Sequence, residues 1–193
     1  MKKIAILFTF LTLIISSMPA SAQSKTSTKK PAANLENMLY IDLKYGRAVI
    51  ELLPNVAPAH VDRIKTLARK GFYDGIVFHR VIDGFMAQTG DPTGTGMGGS
   101  KLPDLRAEFS DEPHIRGAVS MARSSNPNSG NSQFFIVTKD SRFLDNQYTV
   151  WGRVVKGMEF VDKIKKGEGQ GGTVRNPDSM IKVRVAADAE RSK

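Results

Sequence analysis

The chain contains no cysteine, which excludes a disulfide framework and any thiol chemistry. Histidine is scarce: His60, His79 and His114 show no metal-ligand spacing and have no cysteines to complete a site, so a zinc centre is not expected. No G-x-S-x-G elbow is present for a hydrolase. The longest apolar run, residues 4–15, is too short to cross a bilayer, which needs about 20 apolar residues. No cofactor is implied.

That run is still informative. It follows Lys2 and Lys3 and leads to Ala20-Ser21-Ala22, the order of a secretory leader with a basic n-region, a short apolar region and an A-x-A cleavage site. We expect residues 1–22 to be removed, leaving no membrane anchor and an exported chain bound for the periplasm or beyond. Removal leaves 193 − 22 = 171 residues, enough for one domain with its own core. Residues 23–37 are polar and without apolar periodicity, and read as a flexible spacer; a partner-binding or membrane-surface arm is the alternative. The domain is expected over 38–188, with a short tail at 189–193. The net charge of +9 falls to +7 without Lys2 and Lys3. The remaining cations are scattered rather than striped with aromatics, so no nucleic acid partner is expected.

From Met38 the pattern is that of strands. Leu39, Ile41 and Leu43 alternate with polar neighbours, and Ala48, Ile50 and Leu52 resume the period after Tyr45-Gly46, predicting a hairpin. Pro58 opens a helix carrying Val61, Ile64, Leu67 and Ala68 on one face, stopped at Gly71. Short apolar segments follow at 78–82, 85–89, 117–122, 133–138, 148–155 and 181–187. A second helix is expected over 158–165, and a flexible loop over 167–176. Many short strands with two helices predict a mainly β fold, a closed antiparallel barrel. Gly94, Gly96 and Gly99 satisfy G-x-G-x-x-G, but Pro103 follows and no crossover helix is in sight. This stretch therefore reads as a surface loop with positive-φ glycines rather than a nucleotide site. Asp104, Glu108, Asp111 and Glu112 read as a solvated, loop-borne cluster, and His79 as a core histidine.

The stretch with the most chemistry is 78–91, FHRVIDGFMAQTGD. Arg80 cannot lose its proton, so it can only donate, through five N–H groups in a rigid fork. Strand alternation turns it away from Val81, and a turn at Asp83-Gly84 brings Phe85 and Gln88 back beside it. The product is either an apolar patch with one fixed donor or a hairpin whose arginine faces solvent.

A second stretch, GAVSMARSSNPNSGNSQFFIVT at 117–138, joins the first in choosing between these. The two motifs, FHR-x-x-x-GF-M-x-Q-x-GD and SQFFI after Ser-Met-Ala, resemble the cyclophilin family of peptidyl-prolyl cis/trans isomerases. The likeness runs from about Met38 to about Ala187. It implies an eight-stranded barrel capped by two α-helices, with the substrate groove on its outer surface. It implies Arg80 and Gln88 as the catalytic pair. Phe85, Met86, Phe135 and Leu144 become the proline pocket, the Ala122-Arg123 backbone a peptide-pairing segment, and Gln133, Phe143 and Tyr148 further substrate contacts. Proline-containing unfolded or extended polypeptides become the partners; a monomer is expected. Three positions depart from the best-known eukaryotic pattern: Phe143 for tryptophan, Tyr148 for histidine, and Arg123 for the asparagine after Met-Ala. The loss of an indole N–H at Phe143 argues against tight binding of cyclosporin. The pattern is similar to that of bacterial cyclophilins. A proline-recognition or chaperone module, with catalysis incidental, is the competing function.

Overall fold

The computed structural model describes residues 34–191; the expected leader, most of the spacer and the end of the tail lie outside them. The hairpin forms as β1 (Met38–Leu43) and β2 (Gly46–Leu52), followed by α1 (Pro58–Arg69). Then come β3 (Arg80–Ile82), β4 (Met86–Thr89), β5 (Ala118–Met121), β6 (Phe134–Val137), β7 (Val150–Lys156) and β8 (Lys182–Val185). All eight strands join one antiparallel sheet in the order β3-β4-β6-β5-β7-β2-β1-β8.

The expected closure into a barrel is not what the strands do. β3 and β8 are the sheet's edges and do not pair, so the sheet is a curled half-barrel. An isolated bridge between Val77 and Ser179 and the bond from Phe78 N–H to Asp178 O (2.9 Å) join the segments leading into them. Three α-helices form among the described residues rather than two. The second, α2 (Met158–Val161), is shorter than predicted, and α3 (Ala186–Arg191) occupies positions expected to end the last strand and begin the tail. The spacer's end is also ordered: a 3-10 turn at Leu35–Asn37 starts on the Asn34 side chain, and Glu36 pairs with Arg69 on α1.

Alternation puts Val81, Ala87, Val119, Met121, Phe134 and Ile136 on the inner face. There Phe134 meets Tyr73 and Trp151 edge-on, at ring separations of 5.7 and 5.3 Å, an arrangement that aligns ring edges with faces. The outer face of the same strands carries Met86, Ala118, Phe135 and Val137, with Leu144 and Val150 packed on them.

The loop at 167–176 is docked rather than free. Glu168 bridges Thr173, and the segment runs along the exposed edge of β3: Val81 N–H donates to Gly172 O (2.8 Å) and Gly167 N–H to Val81 O (2.9 Å). Gly172 sits at φ +70°, where a Cβ would meet the Ile82 side chain at 2.4 Å, so glycine is what permits this approach. Covering the edge also blocks pairing with other chains.

The expected carboxylate cluster does not exist as a unit. α1 begins after Ala57, which has no capping side chain, and Glu108 supplies the missing acceptor. It takes the N–H groups of Ala59 and His60 (3.1 Å each) and holds the His60 ring at 2.6 Å. A negative group at that end also meets the positive pole of the helix. Glu112 instead pairs with Arg153, and Asp104 accepts from Asn131 (2.9 Å).

Candidate active site

Strand register assembles the site. Arg80 stands opposite Gln88, Gln88 opposite Phe135, and Phe135 opposite Ser120, one row across four neighbouring strands on the outer face. The alternation that buries Val81, Ala87 and Phe134 inside therefore lines up their neighbours outside. Around this row is a pocket of about 290 Å³ lined by Arg80, Phe85, Met86, Gln88, Ala122, Arg123, Phe135, Phe143, Leu144 and Tyr148. These are ten of the eleven residues predicted as site residues. The eleventh, Gln133, lines a neighbouring hollow. The solvent-facing alternative for Arg80 is not observed: the side chain is half-buried.

The pocket's polar groups form a directed chain. Arg80 Nε donates to Gly171 O (3.0 Å) and Arg80 Nη1 to Gln88 Oε1 (3.2 Å). Gln88 Nε2 donates to Gln133 Oε1 (3.0 Å), and Gln133 Nε2 to the carbonyls of Gly96 and Gly98 (3.0 and 2.8 Å). Arg80 thus keeps three of its five donors for a ligand, and Gln88 keeps one. Both donors of Gln133 are committed, which makes it a support for Gln88 rather than a hand on the peptide. Ala122 N–H likewise already donates to Gln133 O (2.9 Å), so pairing of this segment with a peptide falls to its carbonyl.

The chain ends on a residue the sequence reading passed over. Asp91, 1% exposed, accepts from the backbone N–H groups of Thr93, Thr95, Gly96 and Gly98 and from the Thr93 hydroxyl, at 2.6 to 3.1 Å. Burial pushes its pKa up, but these bonds, led by those from Thr93, outweigh it and bring the carboxyl down to about 2. Gly94 and Gly96 have positive φ, as expected of this loop. The glycine-rich stretch is therefore a loop wound around one carboxylate, and it presents the carbonyls that hold Gln133. A signal was available in the sequence: Asp91 with Thr93 two residues on and closely spaced glycines is an Asx-turn pattern.

His114, also passed over, lies behind the pocket wall. Its ring stacks on Phe135 (centroids 6.2 Å apart), with Nδ1 3.1 Å from Asp145 Oδ1 and Nε2 3.0 Å from Ser120 Oγ. Burial lowers its pKa, against the pull of Asp145. His79 is buried, as predicted. Phe143 is 66% exposed and faces Phe85 across 5.4 Å, so these two rings form the pocket's outer lip.

Among the described residues, the pocket lining includes no Ser, Cys, His, Asp or Glu. A fixed donor set in apolar walls suits a reaction that rotates a bond rather than breaks one. Residues 38–185 match the family model described as cyclophilin type peptidyl-prolyl cis-trans isomerase/CLD. A probable peptidyl-prolyl cis-trans isomerase of Brucella suis is 54% identical over 171 residues, covering 82% of this chain and 87% of that protein. A peptidyl-prolyl cis-trans isomerase-like 1 of Aspergillus fumigatus is 40% identical over 127 residues, covering 64% of this chain and 78% of that one. Among solved structures, cyclophilin AquaCyp293 from Hirschia baltica is 31% identical at a TM-score of 0.73, covering 80% of this chain and 76% of its own. A Cryptosporidium parvum cyclophilin crystallised in the presence of the dipeptide Ala-Pro is 28% identical at a TM-score of 0.71, covering 77% and 98%. The chain belongs to the cyclophilin-type peptidyl-prolyl cis-trans isomerases.

Proposed function

We propose that this isomerase accelerates rotation about X-Pro bonds in exported polypeptides, acting as a monomer in the periplasm or beyond, with Arg80 as the group that stabilises the twisted bond. The leader-like pattern of residues 1–22 supports the location. The C. parvum cyclophilin was crystallised in the presence of Ala-Pro, and a pocket of about 290 Å³ walled by Phe85, Met86, Phe135 and Leu144 is suited to a pyrrolidine ring.

Rotation about X-Pro takes tens to hundreds of seconds over a barrier of about 18–20 kcal/mol. Bringing it to about 10 per second requires roughly 4 kcal/mol. As the C–N bond twists, resonance is lost and the proline nitrogen gains a lone pair that the planar amide lacks. A donor aimed there binds the transition state and hardly touches the ground state. Arg80's free N–H groups supply it. Gly171 O and Gln88 fix the fork from one side, so little reorganisation is needed at the moment of rotation. Gln88's remaining N–H holds the substrate carbonyl. Exclusion of water by the apolar walls contributes the rest. Phe143, lacking an indole N–H, supports weak affinity for cyclosporin.

The observation that carries this reading is the Arg80–Gln88 pair, held by strand register at the edge of the apolar pocket. The test is cis-to-trans conversion of a proline tetrapeptide by wild type and Arg80→Ala, with folding checked by circular dichroism. One charge-assisted hydrogen bond is worth about 1.5–3 kcal/mol, so kcat/KM is expected to fall about 10- to 200-fold in a folded variant. Near-normal turnover of that variant overturns Arg80's role. A folded wild type with no turnover makes the chain a proline-binding module instead.

A further inference from the structure

The proline pocket adjoins a second hollow of about 450 Å³, and the two share Gln88, Ala122 and Arg123. Arg123 is half-buried at this junction, its guanidinium 4.5 Å above the Tyr148 ring. Its Nε and Nη2 donate to Gln147 O (3.1 and 2.9 Å) and its Nη1 to Ser124 O (2.9 Å). Every one of these acceptors is a neutral carbonyl. Among the described residues no carboxylate lies within ion-pair distance of Arg123, although most of the other arginines have one. The pocket lining carries two guanidinium groups and no carboxylate. The one carboxylate lining the second hollow, Asp104, accepts from Asn131.

We propose that Arg123 is an anion-recognising element of the groove, giving this isomerase a preference for prolines that have a carboxylate side chain within two residues. The inference rests on reading the pocket as the proline site. Three of Arg123's five N–H donors are used, and two are left for a ligand. A planar fork with free donors matches a carboxylate. The apolar walls of Phe135 and Tyr148 thin the surrounding water and strengthen the attraction. Arg80 cannot serve the same purpose, because its free donors are needed at the proline nitrogen. Reach is adequate: an extended peptide advances about 3.3 Å per residue, so a chain with its proline in one pocket passes the junction within two residues. Stacking on Tyr148 and the two bonds to Gln147 hold the guanidinium in place, so little side-chain entropy is lost when an anion arrives.

The test is kcat/KM of the intact chain on proline peptides carrying Glu, Gln or Lys at each of the two positions on either side of the proline. At low salt the Glu peptide is expected to exceed its Gln counterpart about fivefold at one of these positions, which corresponds to about 1 kcal/mol, with Lys below Gln. Added salt at 0.5 M shrinks the gap, because mobile ions screen charges at a partly exposed site. In Arg123→Gln the Glu/Gln ratio falls to about one. In Arg123→Lys, which keeps the charge but not the fork, part of it survives. The ratio is its own control, since a loosened Tyr148 segment slows both peptides alike. Equal turnover of Glu, Gln and Lys peptides by wild type, or an unchanged ratio in Arg123→Gln, overturns the acidic preference and leaves the isomerase standing. No turnover of any peptide overturns both.

Discussion

The two faces of strands β3 to β6 are built from alternate residues of the same short segments, yet they do opposite things. The inner face sets Phe134 against Tyr73 and Trp151 with every ring buried. The outer face, one residue out of phase, sets Arg80, Gln88 and Phe135 in a row and leaves a pocket above them. The inner face has one requirement, filled volume. The outer face needs filled volume beneath and unfilled hydrogen-bonding capacity above. A strand's period of two allows both because a substitution on one face need not disturb the other. A slip of one residue would exchange them, burying Arg80 and exposing Phe134.

The sharpest way to break the comparison is to delete from each face in turn. Phe134→Ala removes a fully buried ring and is expected to cost about 3–5 kcal/mol of stability, read as a lower denaturant midpoint, while molecules that remain folded keep turning over. Gln88→Leu, on the same sheet, is expected to leave the midpoint within about 1 kcal/mol and to lower kcat/KM about tenfold, the effect of losing one aiming hydrogen bond. If each substitution moved both quantities alike, the division between faces would be wrong. Asp91→Asn comes next. An amide in place of the carboxylate points N–H at N–H where loop groups now donate, so a loss of about 2 kcal/mol in stability is expected. The Gly96 and Gly98 carbonyls that hold Gln133 lose their fixed positions with it. The distinguishing readout is the Arg80 Nε–H resonance in an NMR spectrum, which shifts if the loop positions the arginine and stays put if Asp91 only stabilises the fold.

The smallest effect is a pH dependence that both faces share. Burial is the leading cause of lowered pKa values at His60, His79 and His114, opposed by Glu108, Asp91 and Asp145 respectively. Below the ordinary histidine value of 6.5 the unfolded chain takes up protons that the folded one resists. This contribution to stability is therefore complete above pH 6.5 and declines as pH falls from there toward the folded-state values. Urea midpoints measured at pH 7.5, 6 and 5 are expected to fall in that order. A flat series would mean the histidines are solvated in the folded state.

Much of the site was legible because the groups that make it are tied to strand periodicity and to two long motifs. Phe85, Met86, Phe135 and Leu144 were placed in the pocket by the family resemblance, since apolar periodicity alone does not say which apolar side chains line a groove. The supports were harder to read. Gly171 O reaches Arg80 across 91 positions of sequence, Gln133 reaches Gln88 across 45, and Glu108 caps α1 from 48 residues away. No local pattern announces such partners, because a carbonyl or carboxylate in a loop looks solvated until the loop is placed. The Asp91 loop is the intermediate case: its hydrogen bonds are local and its turn residues visible, but its purpose depends on Gln133 lying against it.

The amino-acid order alone was enough for the strands and the first helix, since each follows from side-chain chemistry and a period of two or 3.6 residues; the donor arginine and the apolar pocket were implied by the resemblance of two motifs to a known family. Tertiary structure decided the rest. It left β3 and β8 unpaired with each other, laid the 167–176 segment along the exposed edge, and ended the last strand in a helix. It committed Gln133 to the loop, and it left Arg123 between two hollows with carbonyls for partners. These outcomes depend on which backbone groups remain unsatisfied once the sheet has curled, a quantity that exists only when distant segments have met.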